Sequence, residues 1–390
     1  PYSNFNTVRL GSVVKIIRGI TYPNEAEVNY PTNNIILPAD NITTNGKLKI
    51  KKPIFLKDAN FLEEEKKLHK GDIFMCFSSG SKKHVGKSCF IEKNTEYYAG
   101  GFMGILRINN SIIDNHFLAY LLNSSGFKAL LSDYSKGSNI NNLSNKIGEI
   151  ELPLPPMSTQ QQIVTECEAE DRKYDECNKK IESLAIQKAE IVGSISANEV
   201  TTIEALCDEI NPSRSEISNM PDDTSVSFVE MNSLGQGIIE KMVNRPLGEL
   251  RKGGYTYFAE NDILIAKITP CMENGKCAIA SGLTNGIGMG STEFHVLRVN
   301  KSKVMPEYVF ALLNQDKIRK EAAAHFTGSS GHRRVPIDYY KHLEIPFLSL
   351  QEQNRIVKQI YGIDQQVITL KMRRQECAAN KQAILNKYLK

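Results

Sequence analysis

Apolar side chains recur at alternating intervals of four and three in two separate stretches of this chain. The first series is Ile163, Cys167, Glu170, Tyr174, Cys177, Ile181, Leu184, Lys188, Ile191 and Ile195. The second is Ile356, Ile360, Ile363, Val367, Leu370, Arg374, Cys377, Lys381, Ile384 and Tyr388. That periodicity is the seam of a coiled coil, with polar interruptions at Glu170, Lys188, Arg374 and Lys381. Each seam has a defined start. Pro153, Pro155 and Pro156 forbid helix before Met157, Ser158 or Thr159, and Gln161 or Gln162 stands where a capping box closes. Pro346, Ser349 and Glu352 repeat those parts in the second stretch. At about 1.5 Å per residue each seam makes a rod of roughly 50 Å, long enough to act as a spacer.

Ahead of each seam the pattern changes to short apolar runs. Asp72-Ile73-Phe74-Met75-Cys76-Phe77 and Gly104-Ile105-Leu106-Arg107-Ile108 predict strands, as do Asp262–Ile268 and Phe294–Val299. Late in each region, residues 115–131 and 306–325 predict one helix apiece, with Pro306 suited to a first turn. Strands followed by helices in each half give an α+β class.

The halves also share wording. Leu152–Val164 aligns with Ile345–Val357, Gly71-Asp72-Ile73 with Asn261-Asp262-Ile263, and Gly86-Lys87 with Gly275-Lys276. Leu106-Arg107-Ile108-Asn109 answers Leu297-Arg298-Val299-Asn300, and Gly137-Ser138 answers Gly328-Ser329. A period of roughly 190 residues is too long for a solenoid unit, so a whole domain with its helix is duplicated. The division expected is 1–155 as a first domain, 156–200 as a helix, 201–345 as a second domain and 346–390 as a second helix.

Charge refines that division. Across 390 residues the net charge is only +4, a weak polyanion signal on its own. Residues 156–200 hold 5 basic and 9 acidic side chains, and residues 346–390 hold 8 basic and 3 acidic. Opposite charge, matched length and a shared period favour pairing of the two helices with each other over docking of each on its own domain. No run of 18 apolar residues and no cleavable signal is present, so a cytoplasmic location without a membrane partner is expected. Eight cysteines without a Cys-x-x-Cys pair read as reduced, buried thiols, and Cys76, His84 and Cys89 fit no usual zinc spacing.

Enzyme motifs are incomplete. Gly86-Lys87-Ser88 imitates the end of a phosphate-binding loop, but the required earlier glycine position holds Ser81. Asn211-Pro212-Ser213-Arg214 lacks the second proline and the aromatic of an adenine methyltransferase motif. His295, His325 and His342 have no Ser or Cys partner arrangement and read as packed or surface histidines.

The two proline-rich lead-ins with their Gln-containing helices (152–164 and 345–357), and the run Asn261–Lys276, carry a resemblance. The chain resembles the specificity (S) subunit of type I restriction-modification systems over nearly its whole length. The resemblance implies a non-catalytic reader of double-stranded DNA in which each domain recognises half of a split target. It implies helices paired antiparallel that hold the domains at fixed separation and dock two methyltransferase (M) subunits. S-adenosylmethionine is then a cofactor of the methyltransferase and none is bound by this chain; restriction (R) subunits join for cleavage. Because the two domains differ in sequence, the target is expected to be asymmetric. A two-component methyltransferase-nuclease system uses similar readers, and a coiled-coil scaffold with protein-binding domains is the alternative from another class.

Candidate DNA contacts fall in two places per domain. In the second, Ser329, Ser330, His332, Arg333 and Arg334 form a loop in which Arg can grip guanine or phosphate and glycines admit close approach. Its counterpart holds Lys136, Ser138 and Asn139, where asparagines either read adenine or shape a turn. The other places are Lys82, Lys83, His84 and Lys87 in the first domain, answered by Lys267, Thr269, Asn274 and Lys276. These read as phosphate contacts or as solvated turns. Lys47, Lys49, Lys51 and Lys52 read as a solvated strand edge.

Overall fold

In the computed structural model, the described residues are 5–43, 45–79, 84–134, 143, 146–329 and 332–389. The chain forms two compact units: residues 1–179 with 370–390, and residues 180–369. Each unit therefore combines one domain with a stretch of both long helices, Met157–Gly193 and Leu350–Leu389.

In the first unit, Thr7–Arg9 pairs antiparallel with Glu151–Pro153, bringing the start of the domain to the proline-rich lead-in of its helix. An antiparallel sheet follows in the order Val14–Arg18, Met103–Ile108, Ile73–Cys76, Ser88–Phe90. Ile73–Cys76 is buried along its length because both faces are covered. Ile73 and Met75 pack with Leu10, Leu106 and Phe117, whereas Phe74 and Cys76 pack with Leu37, Cys89 and Ile105. Alternation along the strand thus feeds two cores from one apolar run. Gly104 is required here, since a Cβ would fall 1.9 Å from the Phe77 ring. A second, mixed sheet has the order Glu27–Val28, Ile54–Leu56, Ile35–Leu37, Tyr97–Ala99, the last two strands being parallel.

The second unit repeats the first pattern. Val200–Thr202 pairs with Glu344–Pro346, and the antiparallel sheet runs Cys207–Ile210, Phe294–Val299, Ile263–Ala266, Cys277–Ile279. The mixed sheet differs. Its order is Val243–Pro246, Ser225–Val229, Ile287–Gly290, Thr256–Ala259, so a strand lies beyond the parallel pair where the first unit ends at that pair.

The repeated motifs meet in space. Arg107 grips Asp72 through two bonds of 2.8 Å, and Arg298 grips Asp262 at 3.0 and 2.9 Å. Both aspartates are nearly inaccessible to solvent. Each also accepts a backbone bond from three residues earlier, His69 and Ala259 respectively, at 2.8 Å.

The single late helix expected in each domain is two helices. Asn115–Asn123 ends at Ser124, whose hydroxyl donates to the Leu121 carbonyl (2.6 Å) and accepts from the Phe127 amide (3.1 Å), closing one helix and capping Ser125–Tyr134. In the second unit Asn314 and Gln315 separate Pro306–Leu313 from Asp316–Ala324.

The seams pair within each unit and run antiparallel. In the first, Lys381 bonds Asp171 (2.6 Å), Arg374 bonds Asn178 (2.9 Å) and Asn380 bonds Glu170 (3.0 Å). In the second, Lys188 reaches both oxygens of Asp364 at 2.7 Å. The first helix ends at Gly193, so Ile195 packs beyond it. The lysines at 47–52 do not edge a strand. Lys51 and Lys52 donate their amides to the buried Asn41 side chain at 2.7 and 3.0 Å, and Lys47 forms an ion pair with Asp175.

Candidate nucleic-acid interface

The two candidate stretches of the second unit form one surface. Thr269 donates its amide to the Arg333 carbonyl (3.0 Å), and Val335 donates to Lys267 (2.9 Å). Residues 327–329 and 332–334 form a tight strap: Thr327 and Arg334 exchange backbone bonds of 3.0 and 2.9 Å, and His332 donates to the Ser329 carbonyl at 3.0 Å. Gly328 sits at φ +103, where a Cβ would lie 3.0 Å from the His332 carbonyl, so glycine is needed at this bend.

Successive residues of an extended segment face opposite ways, and this separates the two arginines. Arg334 turns inward and binds Glu293 through two bonds of 2.8 and 2.7 Å, with a further bond to the His332 carbonyl at 2.9 Å. The guanidinium holds the Glu293 carboxyl below the usual carboxylate range, and the carboxylate raises Arg334 in turn. Arg333 is exposed, its guanidinium 5.1 Å from the centre of the Phe326 ring.

The other candidates divide the same way. Lys276 donates to the Met231 carbonyl (2.9 Å) and Thr269 to Glu273 (2.7 Å), so both head groups are tied into the fold. Lys267 is half-buried, with its charge felt by Glu293 and His295. Asn274, Ser329, His332 and Arg333 are exposed. Sequence reading missed the turn Gly235–Ile238, which docks beside Asn274 through Gln236 Nε2 (2.6 Å to the Asn274 carbonyl) and leaves Ile238 60% exposed. Its two glycines signal a turn; nothing local signals its neighbour.

In the first unit, Leu143 donates to the Phe77 carbonyl (2.8 Å), repeating the contact of Val335 with Lys267. His84 and Lys87 flank a turn before Ser88–Phe90, with Lys87 donating to the His84 carbonyl at 3.0 Å. Lys82, Lys83, Lys136, Ser138, Asn139 and, in the second unit, Ser330 lie outside the described residues. Gly86-Lys87 and Gly275-Lys276 both lead into strands, Ser88–Phe90 and Cys277–Ile279, whereas a phosphate-binding loop leads into a helix. Cys76 and Cys89 are buried, which pushes their thiols up to about 11 and 12, and no group of three possible metal ligands occurs among the described residues. Asn211 accepts the Val296 amide at 2.9 Å, a structural task.

Comparison with known proteins bears on the duplication directly. The family described as "Type I restriction modification DNA specificity domain" matches residues 2–184 and again 199–377. This chain belongs to that family. Its two matched stretches correspond to the two repeats, each carrying one Arg paired with a buried Asp and one equivalent backbone contact, Leu143 to Phe77 or Val335 to Lys267.

Among relatives of this specificity family, the type I restriction enzyme EcoAI specificity subunit of Escherichia coli is 40% identical over 162 residues, 41% of this chain and 26% of the relative. The chain thus aligns with about a quarter of that protein's length. The StySPI specificity subunit of Salmonella potsdam is 25% identical over 381 residues, covering 91% of this chain and 81% of the relative. A chain from a solved structure concerning assembly and conformational transition of the type I R-M system covers 100% of this chain and 99% of its own length, with TM-score 0.56 and 16% identity. At that identity the likeness is one of fold. No helix of the described residues is long and apolar enough to cross a membrane.

Proposed function

We propose that this chain is the DNA-reading subunit of a type I restriction-modification complex, with each unit recognising one half of a split, asymmetric double-stranded target. The observation that carries the reading is a shared frame with unlike surfaces. In both units a backbone bond ties the candidate loop to the residue just past an interior strand of the antiparallel sheet, Leu143 to Phe77 and Val335 to Lys267. Yet the loop sequences differ, with Ser329, His332 and Arg333 exposed in the second and Lys136, Ser138 and Asn139 in the sequence of the first. Exposed Arg and Ser are suited to phosphate oxygens and to guanine or other base edges. Belonging to the DNA specificity family supports the same reading.

In this proposal the chain carries out no chemistry. Methyl transfer falls to a partner methyltransferase that binds S-adenosylmethionine, two copies of which dock on the long helices, and restriction subunits join the complex in the cytoplasm. The test is to co-express the chain with its neighbouring methyltransferase gene in a host free of adenine methylation and to map modified adenines by long-read sequencing. A split motif with a fixed gap is the expected result. A stable complex that marks no motif would shift weight to a protein-binding scaffold, and DNA affinity independent of salt would do the same.

A further inference from the structure

Phe102 is 71% exposed, in the turn that connects Tyr97–Ala99 to Met103–Ile108. Its backbone is fixed. The Phe102 carbonyl accepts from both the Phe77 and the Ser78 amides at 3.0 Å, and Met103 donates to the Gly100 carbonyl at 2.7 Å. The turn is also tightly packed. A Cβ on Gly101 would lie 3.0 Å from the Ile20 carbonyl, and one on Gly100 3.3 Å from the Leu37 carbonyl.

The second unit uses the equivalent place differently. There Glu293 occupies it: its carbonyl accepts the Lys267 amide as that of Phe102 accepts Phe77, and its carboxylate binds Arg334 of the strap. The first unit has an exposed aromatic ring at the position where the second anchors its strap. Nearby groups are polar or cationic: Ser78 donates its amide to the Phe102 carbonyl, and Arg18, exposed, pairs through its backbone with Gly104.

We propose that Phe102 stacks on a base of the half-site read by the first unit. This rests on the DNA-reading function proposed above and adds a contact class to it. A ring on an immobile turn loses little conformational freedom on binding, having two side-chain torsions. Every base offers a π-face, and aromatic side chains inserted beside bases unstack a step and bend the duplex. The first half-site is then read partly through how readily one step opens, and the second is read at the same place through the strap that Glu293 holds.

The test uses the full chain co-expressed with its methyltransferase, comparing Phe102→Ala and Phe102→Trp with the unaltered protein by methylation mapping. Loss of a base–aromatic stack is expected to lower modification by roughly tenfold or to relax base preference within one half of the motif, with Phe102→Trp retaining both. Thermal unfolding of Phe102→Ala should match the parent, as the ring is outside the core. Unchanged occupancy and motif in Phe102→Ala would overturn the proposal, and so would a base preference relaxed in both halves of the motif or a lowered melting temperature. If the unaltered chain marks no split motif, the DNA-reading function itself fails, which is a separate outcome.

Discussion

The side-chain oxygen of Gln353 lies 2.8 Å from the backbone nitrogen of Met305, the residue that opens helix Pro306–Leu313. Gln353 is fully buried, and its amide donates to the Leu348 carbonyl at 2.8 Å and the Lys303 carbonyl at 3.3 Å. The first unit makes the same latch with Gln160, which accepts from Asp114 (2.8 Å) and donates to Ile112 and Pro155 (2.9 Å each). One glutamine thus fixes the start of each long helix to the start of a domain helix. Gln353→Leu leaves a buried N–H and two carbonyls without that partner and should cost about 2–4 kcal/mol. Urea unfolding checks this, and a loss under 1 kcal/mol would show that water replaces the side chain.

These latches show what the sequence could and could not convey. The glutamine-containing lead-in was legible as a repeated motif, but its role depends on Asp114 and Met305, far away along the chain. The Asp–Arg pairs are similar: both halves of each motif were visible as repeats, and only folding brings Asp72 to Arg107. Seam positions were legible because a helix writes its neighbours at fixed intervals, and every one of the second series proves shielded to some degree. The break at Ser124 is written as the turn signal Asn123-Ser124-Ser125-Gly126, and sequence reading missed it because apolar residues at near-helical spacing, Leu118, Leu121 and Leu122 before it and Phe127 after it, continue on both sides. At the candidate surface, residue type alone could not distinguish Arg333 from Arg334, since the pairing of Arg334 with Glu293 is a long-range event.

That distinction predicts unlike phenotypes for two adjacent arginines. Arg333→Ala should leave unfolding unchanged and reduce DNA affinity, lowering the log-log salt slope by about 1 if the guanidinium meets a phosphate. Arg334→Ala should loosen the strap, and Glu293→Ala should reproduce its effect on DNA binding because both remove one ion pair. Fluorescence titrations at several salt concentrations decide the matter. Unequal effects of Arg334→Ala and Glu293→Ala would mean that Arg334 leaves Glu293 to contact DNA itself.

His295 gives a pH dependence. Burial depresses it from its ordinary 6.5 to about 4, and its Nε2 lies 2.9 Å from the Val335 carbonyl. A carbonyl can only accept, so the neutral ring carries its proton on Nε2. Between pH 6.5 and 4 the unfolded chain takes up a proton that the folded unit refuses. Stability from this group is therefore complete above about 6.5, falls on acidification, and is exhausted near 4, a total of about 3 kcal/mol. His295→Gln keeps a donor for Val335 and should flatten this part of the second unit's stability profile. An unaltered slope between pH 6.5 and 5 in the variant would rule the assignment out.

The paired helices offer a cycle that tests duplication itself. Lys188 with Asp364 and Lys381 with Asp171 occupy equivalent repeat positions, with lysine and aspartate exchanged between the helices. Lys188→Asp places two carboxylates together and should destabilise the second unit, and adding Asp364→Lys should restore most of the loss. With side chains 30% and 44% exposed, the coupling should be about 0.5–1 kcal/mol. The first unit's pair is more shielded, at 17% and 21%, and Asp171 also accepts the Tyr120 hydroxyl at 2.7 Å. Less solvent screening and a shared partner should make its coupling larger, yet its charge reversal should be less fully rescued because Tyr120 loses its acceptor. Each cycle is read by urea unfolding followed with a probe placed in its own unit. Equal couplings in the two units would show that pairing strength follows the repeated ion pair alone and owes nothing to the domain packed beside it.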